Sequence, residues 1–347
     1  MIFRTLLTLA IVATIGLWTL KERPELVYSF LTSETVSTFF LPATEPESAE
    51  PSPGLSTAPV IPFLTESRSL SATFQPMLRE YASRLSVPTA HASVIMDANS
   101  GKVLYDRNAE DKRQIASLTK LFTSLIVVER VQNLDELVTI DEEAIYADGT
   151  RIGCPRSGYC PGVRFAVGEQ LTVHDLLKAA LMNSANDAAI ALGKHLGGTQ
   201  EGFAKIMNER AKELGLTDSH FCTPSGLEID GAESSCYSSA RDIAMIASEA
   251  LKHPILWEIM KIERTNIVSA DGTRTHDVFN TDQLIGTMPN LVGTKTGFTP
   301  LAGYSLLAVA TDPSGEHPVI AVVLNDPYRW DSIRSMLDWS FESFDWI

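Results

Sequence analysis

Positive charge is in short supply. The 347-residue chain carries 28 Lys and Arg against 43 Asp and Glu, a net charge of −15. A partner held through its phosphates needs a basic footprint, so nucleic acid is excluded. Histidine is sparse as well, with seven residues scattered along the chain and none at metal-ligand spacing, so no metal site and no cofactor are expected. The chain has no Gly-x-Ser-x-Gly elbow and no Gly-rich phosphate loop, which leaves both of those chemistries unsupported. Cysteine is limited to Cys154, Cys160, Cys222 and Cys236, and none of the spacings fits zinc. Four cysteines agree with an oxidising compartment. Three connectivities are open to them; the two local pairs, Cys154–Cys160 and Cys222–Cys236, are favoured over four free thiols.

A long apolar run stands at the N-terminus. Arg4 precedes Leu6 to Leu20, and Lys21-Glu22-Arg23 follows. The run is longer than many signal-peptide cores and short for a spanning helix, with no clear small-x-small cleavage site after it. An uncleaved single-pass signal-anchor over residues 1–23 is the first expectation, and secretion after signal cleavage the alternative. Either places the rest of the chain on the extracytoplasmic side of the cell membrane. Residues 24–74 lack periodicity and include a Pro-, Ser-, Thr- and Glu-rich stretch from Pro42 to Pro62, a linker composition. Such a segment reaches on the order of 40 Å by random-coil scaling.

The remainder, 75–347, has the makings of a folded domain, in a chain with 44% hydrophobic and 20% charged residues. Met77 to Leu85 reads as a short helix. His91 to Asp97 and Lys102 to Asp106 read as strands around a hairpin signal, Asn99-Ser100-Gly101. Thr172-Val173-His174-Asp175 is a capping box opening a helix that stops near Asn183-Ser184. Asp187 to Leu196, Phe203 to Leu214 and Ser239 to Leu251 keep helical periodicity, and Asp175, Lys178 and Asp242 read as helix-surface or capping residues. Late in the chain, Ile262 to Val268 is expected to pair with Thr275 to Phe279. Leu291 to Phe298, Gly303 to Ala310 and Val319 to Leu324 form an antiparallel meander, and Asp331 to Phe341 closes as a helix. Strands on both sides of a helical block suggest an α/β fold: one mainly antiparallel sheet flanked by helices, with an inserted all-helical lobe near 140–253.

One stretch organises the rest. Gln114 to Arg130 places Leu118, Leu121, Phe122, Leu125, Ile126 and Val128 at helical spacing. Ser117 stands where an ordinary N-cap would. Lys120, three residues on, shares its helix face. A serine hydroxyl needs a base to become a nucleophile, and a desolvated amine, or one beside another cation, can serve as that base. A helix N-terminus also favours a developing oxyanion. Ser-x-x-Lys alone is weak, but Ser184-Ala185-Asn186 supplies Ser-x-Asn and Lys295-Thr296-Gly297 supplies Lys-Thr-Gly, each pattern occurring once.

These three patterns stand in the order used by penicillin-recognising serine enzymes. The chain from about Ala90 to Trp339 resembles the serine-type D-alanyl-D-alanine carboxypeptidases, the low-molecular-weight penicillin-binding proteins of peptidase family S11. Further stretches carry the likeness: Asp97 to Tyr105, Asn183 to Ala189, Tyr237 to Asp242 and Gly293 to Thr299. The resemblance implies a β-lactamase/transpeptidase-like fold. It implies removal of the terminal D-alanine from peptidoglycan stem pentapeptides, and covalent inhibition by β-lactams. By the same resemblance Ser117 forms the acyl-enzyme, Lys120 is the general base and Ser184 relays a proton to the leaving amine. Asn186 orients Lys120 and holds the substrate amide, and Lys295 keeps the site electropositive. Thr296, on the Lys295-Thr296-Gly297 strand, binds the terminal carboxylate, and the N–H groups of Ser117 and Phe298 form the oxyanion hole. Arg329 is a second candidate for the carboxylate, against an ordinary solvated arginine.

Some features depart from the family pattern. Ala185 replaces a usual glycine, and the chain stops at Ile347 where relatives continue into a β-rich domain and a membrane-binding helix. The N-terminal segment is therefore expected to do the anchoring. The loop between Cys154 and Cys160 matches nothing in the pattern. Three rivals share the motifs or the layout. A class A-like β-lactamase needs a Glu-x-x-x-Asn glutamate beyond Ser-x-Asn, and Glu201, Glu209, Glu213 and Glu228 do not stand in that setting. A D,D-endopeptidase acting on peptidoglycan cross-links uses the same machinery. A catalytically silent wall-binding tether has no need of three intact motifs.

Overall fold

The computed structural model describes residues 75–154 and 159–347, all within the unit Ser67–Ile347. The expected anchor (1–23) and linker (24–74) lie outside the described residues. In chain order the elements are β1 (Pro76–Leu78), β2 (Ala92–Asp97), β3 (Val103–Arg107), α1 (Thr119–Arg130), β4 (Leu137–Thr139), α2 (Glu142–Ile145), β5 (Gln170–Thr172), α3 (Val173–Leu181), α4 (Asn186–Gly197), α5 (Gln200–Glu213), α6 (Ala240–Ala250), α7 (Pro254–Met260), β6 (Arg264–Val268), β7 (Thr275–Phe279), β8 (Leu291–Thr299), β9 (Gly303–Thr311), β10 (Pro318–Leu324), α8 (Arg329–Ser343) and β11 (Phe344–Trp346).

Five strands make the main sheet, in the order β3-β2-β10-β9-β8, with every pairing antiparallel. The strands β2 and β3 from the front of the chain join the meander from its end, so the helices between them form a separate layer. Alternation along each strand builds two cores. Val94, Met96, Leu307, Val309, Ile320 and Val322 face the helices of that layer. Ile95, Leu306, Ala308, Val319, Ala321 and Val323 face Ile333, Met336 and Leu337 of α8. Cover on both faces is why β10 reads Pro-Val-Ile-Ala-Val-Val-Leu without polar interruption. The sheet ends at β8, an edge strand carrying Lys295-Thr296-Gly297.

Capping sets several helix starts. Thr172 Oγ1 accepts from Asp175 N at 3.0 Å, and Ser239 Oγ accepts from Asp242 N at 3.1 Å. Asp175 also pairs with Lys178 Nζ at 2.9 Å. Asp242 departs from a surface role: it is buried, and its carboxylate accepts from Asp218 N at 2.9 Å and Ser219 Oγ at 2.7 Å.

The expected helix over Met77 to Leu85 is absent. Residues Pro76–Leu78 are instead a strand paired with Phe344–Trp346 at the other end of the chain. Arg79 N donates to Ser343 O at 2.8 Å, and the Arg79 guanidinium holds Asp345. Backbone pairing across more than 260 residues overrides a local period that spans only two to three turns of helix, too short to be stable by itself. Among the described residues no helix is long and apolar enough to cross a membrane.

Candidate active site

Ser117 sits in a single 3-10 turn, Ala116–Leu118, that runs into α1. It does not cap that helix: Leu118 occupies the N-cap position and no side chain makes a cap bond there. The hydroxyl instead meets Lys120, whose Nζ lies 2.8 Å from Ser117 Oγ. Ala116, with φ of 50°, takes a left-handed conformation that costs a non-glycine residue on the order of 1–3 kcal/mol. The turn is held by close backbone contacts that only glycine permits. A Cβ on Gly226 would fall 2.1 Å from Ala116 O, and one on Gly297 would fall 2.8 Å from Ile115 O.

Lys120 is fully buried. Around its Nζ stand Ser117 Oγ at 2.8 Å, Asn186 Oδ1 at 2.6 Å and Ser225 O at 2.7 Å. The amide oxygen and the carbonyl can only accept, whereas the hydroxyl can accept or donate. A protonated amine can donate to all three. A neutral amine can donate to the two acceptors and take the Ser117 proton on its lone pair. The geometry suits both protonation states without moving an atom.

Asn186 opens α4, and Ser184 precedes it with a φ of 60°, in the break between α3 and α4. Asn186 Nδ2 donates to Asp148 O at 2.6 Å and Asn186 N to Thr150 O at 2.7 Å, so the segment 148–150 fixes the amide that faces Lys120. Next to it, Asp187 is buried and accepts from Ile152 N at 3.0 Å and Ala188 N at 2.9 Å. Burial pushes its carboxyl up to about 7, against the pull of those two N–H groups and of the Arg151 and Lys120 charges.

The edge strand β8 supplies the facing wall. Lys295, 1% exposed, donates to Ser184 Oγ at 2.9 Å and to Thr296 O at 3.1 Å. Thr296 Oγ1 lies 2.8 Å from Thr281 Oγ1. Phe298 follows Gly297 on the same strand and its ring packs 4.5 Å from that of Tyr304. Arg329 is not a solvated arginine: its Nη1 donates to Gly297 O at 3.0 Å and to Ser305 O at 3.2 Å, with the guanidinium 5.2 Å from the Tyr304 and Trp330 rings. Hydrogen bonds thus join Ser117 and Asn186 at Lys120, Ser184 to Lys295, and Arg329 to Gly297, and Gly297 packs against the nucleophile turn on the strand that also carries Thr296 and Phe298.

Sulfur bonds join Cys154 to Cys160 and Cys222 to Cys236. The second encloses Ser225 and Gly226, which touch Lys120 and the nucleophile turn. Ser225 and Thr281 were not singled out from sequence. Ser225 acts through its carbonyl, which every residue has. The one available signal was its Pro-Ser-Gly setting inside a cysteine-bracketed loop. Among the described residues no group of three or more His, Cys, Asp and Glu stands close enough to hold a metal ion.

Residues 81–328 match the peptidase S11 family model, described as D-alanyl-D-alanine carboxypeptidase. The D-alanyl-D-alanine carboxypeptidase DacF of Bacillus subtilis is 32% identical over 265 residues, covering 74% of this chain and 63% of the relative. The D-alanyl-D-alanine carboxypeptidase DacC of Escherichia coli is 35% identical over 262 residues, covering 74% of this chain and 62% of the relative. The chain therefore spans less than two thirds of the length of either. The crystal structure of the Streptomyces K15 DD-transpeptidase is similar in fold, with a TM-score of 0.65 and 28% identity over 75% of this chain and 100% of that one.

Proposed function

The chain belongs to the peptidase S11 family of D-alanyl-D-alanine carboxypeptidases, and from that membership we propose that it removes the terminal D-alanine from peptidoglycan stem pentapeptides through an acyl-enzyme on Ser117. The observation that carries the proposal is the fully buried Lys120 amine set between Ser117 Oγ, Asn186 Oδ1 and Ser225 O.

The steps follow from that arrangement. Neutral Lys120 takes the Ser117 proton as Oγ attacks the carbonyl carbon of the penultimate D-alanine. The oxyanion is received by the N–H groups of Ser117 and Phe298, where one donor is typically worth ~3 kcal/mol. The C–N bond breaks, and the proton held at Lys120 passes by way of Ser184 to the departing amine. Water then attacks the ester, with the same amine as base, and regenerates Ser117. Lys295 beside Ser184 keeps this half of the site electropositive. Thr296 receives the terminal carboxylate, and Arg329, tied to Gly297 O, fixes the strand and adds positive charge near it. The edge position of β8 lets extended substrate pair as an added strand.

β-Lactams, which mimic D-Ala-D-Ala, acylate the same hydroxyl. The Leu6 to Leu20 run and the linker composition support an N-terminal membrane anchor with the catalytic domain on the extracytoplasmic face.

The test is fluorescent-penicillin labelling of the full chain together with D-alanine release from a stem pentapeptide, wild type against Ser117→Ala. Stable labelling and release, both lost in the variant, are expected. Rapid turnover of the drug would move the assignment to a β-lactamase. A folded wild type with neither activity would overturn the mechanism.

A further inference from the structure

Two consecutive residues of α4 grip the segment 148–152 at every second position. Asn186 Nδ2 donates to Asp148 O at 2.6 Å and Asn186 N to Thr150 O at 2.7 Å, while Asp187 Oδ2 accepts from Ile152 N at 3.0 Å. The approach is close: a Cβ on Gly149 would fall 2.9 Å from Asn186 Nδ2. Arg151 ties the segment elsewhere, its Nη1 donating to Ile145 O at 2.6 Å and its backbone exchanging two bonds with Cys154. Asp148 O decides which end of the Asn186 amide faces Lys120. Turned over, the amide would set Oδ1 against the Asp148 carbonyl, two acceptors with no proton between them. The acylation steps use Asn186 and leave Asp187 without a role.

Asp187 is buried, and both of its oxygens take N–H donors: Oδ2 from Ile152 N and Oδ1 from Ala188 N at 2.9 Å. An ionised carboxylate accepts both. A neutral carboxyl turns one oxygen into a hydroxyl, a poorer acceptor whose own proton finds no partner in two donors. The charges that face the group are Arg151, on the segment itself, and Lys120, on α1, and both favour the ionised form. Resting on the Ser117 mechanism, we propose that Asp187 is a positioning residue for acylation: as a carboxylate it holds Ile152 N, so that the segment 148–152 keeps Asn186 Oδ1 on Lys120. Burial outweighs the two N–H groups and the two cations and sets the carboxyl at about 7. The brace is therefore complete above that pH and weakens below it, as the carboxyl gains a proton. The Lys120 amine then loses the acceptor that aims it at Ser117.

The experiment uses the full chain and follows the rate of fluorescent-penicillin acylation between about pH 6 and pH 8, for wild type and for Asp187→Asn, whose amide cannot accept from both N–H groups. Proton exchange at Lys120 shapes both profiles, so the ratio of the two rates is read. Wild type should lead at pH 8, and its lead should shrink by about ten-fold at pH 6, the span of one titration centred near 7. A role in folding alone gives a ratio that does not change with pH. The same pair in an Asn186→Ala background separates positioning from the direct pull of the Asp187 charge on Lys120: the pH dependence of the ratio should vanish there, because the amide to be held is gone. A flat ratio in the first pair, or a pH dependence that persists without Asn186, overturns the inference and leaves the carboxypeptidase reading intact. If Asp187→Asn fails to fold, wild type labelled with 15N-isoleucine decides. The Ile152 amide signal should shift with the same midpoint as the fall in acylation, and a signal unmoved across that range overturns the inference. A wild type that takes up no penicillin at any pH overturns the Ser117 reading, and the inference with it.

Discussion

Lys295 Nζ donates to Ser184 Oγ at 2.9 Å, joining the edge strand to the break between two helices across 111 residues of chain. The partner contact, Lys120 to Ser117, spans three residues. Each lysine is buried and each holds one serine hydroxyl, so the site consists of two amine–hydroxyl pairs, one local and one assembled by the fold. That division decides which residues tolerate change.

Lys120→Arg keeps a cation and a donor but cannot surrender its proton in the physiological range. Penicillin acylation should slow by about 10³-fold, within the span attributed to a positioned base. A time course of fluorescent labelling measures it. Labelling at the wild-type rate would mean that another group removes the Ser117 proton.

Gly226→Ala places a methyl where Ala116 O already stands, on a backbone with φ of +77°. The nucleophile turn has to move. A loss of about 2 kcal/mol or more is expected in urea unfolding, with slower acylation in the protein that remains folded. Gly272→Ala is the control, since a Cβ there meets nothing within 4 Å although its φ of +71° is also left-handed. It should lose stability by the conformational cost alone and retain acylation.

Asp187 gives the stability a definite pH slope. Its folded-state carboxyl sits at about 7 because it is buried, above the ordinary value of 3.8. Between those values the folded protein holds a proton that the unfolded chain releases. The stabilising contribution is therefore complete below about pH 4 and is lost as pH rises through about 7. Thermal melts from pH 4 to pH 8 should show wild type losing stability relative to Asp187→Asn over that window, with the difference levelling above it. Parallel profiles for the two proteins would place the Asp187 carboxyl in the ordinary range.

The Cys222–Cys236 bond encloses a separation of 14 residues, and Cys154–Cys160 one of 6. Loop-closure entropy puts the longer loop near 3 kcal/mol and the shorter one lower. Replacing Cys222 and Cys236 by Ser should therefore destabilise more than replacing Cys154 and Cys160, in guanidinium unfolding of the oxidised proteins. The longer loop also carries Ser225 O to Lys120, so its loss should slow acylation as well. Equal acylation rates in wild type and the Cys222/Cys236 variant would show that the Thr123 hydrogen bond to Pro224 O and the close approach of Gly226 to Ala116 hold Ser225 without the disulfide.

What was legible in the sequence was whatever a short period or a fixed spacing encodes. Ser117 and Lys120 meet because i and i+3 share a helix face, and their contact needs nothing beyond α1 and the turn before it. The caps at Thr172 and Ser239, the hairpin at Asn99 to Gly101 and the apolar strands β9 and β10 are local signals of the same kind. Only the tertiary structure decided that Lys295 reaches Ser184, that Ser225 lends its carbonyl to Lys120, that Thr281 stands against Thr296, and that Asp187 and Asp242 are buried. It also turned the stretch after Pro76 from an expected helix into a strand, because its partner lies at Phe344–Trp346. The reason is the same in each case. A backbone carbonyl, a buried carboxylate or a strand partner is specified by what the distant chain brings to it, and no spacing within one segment carries that information.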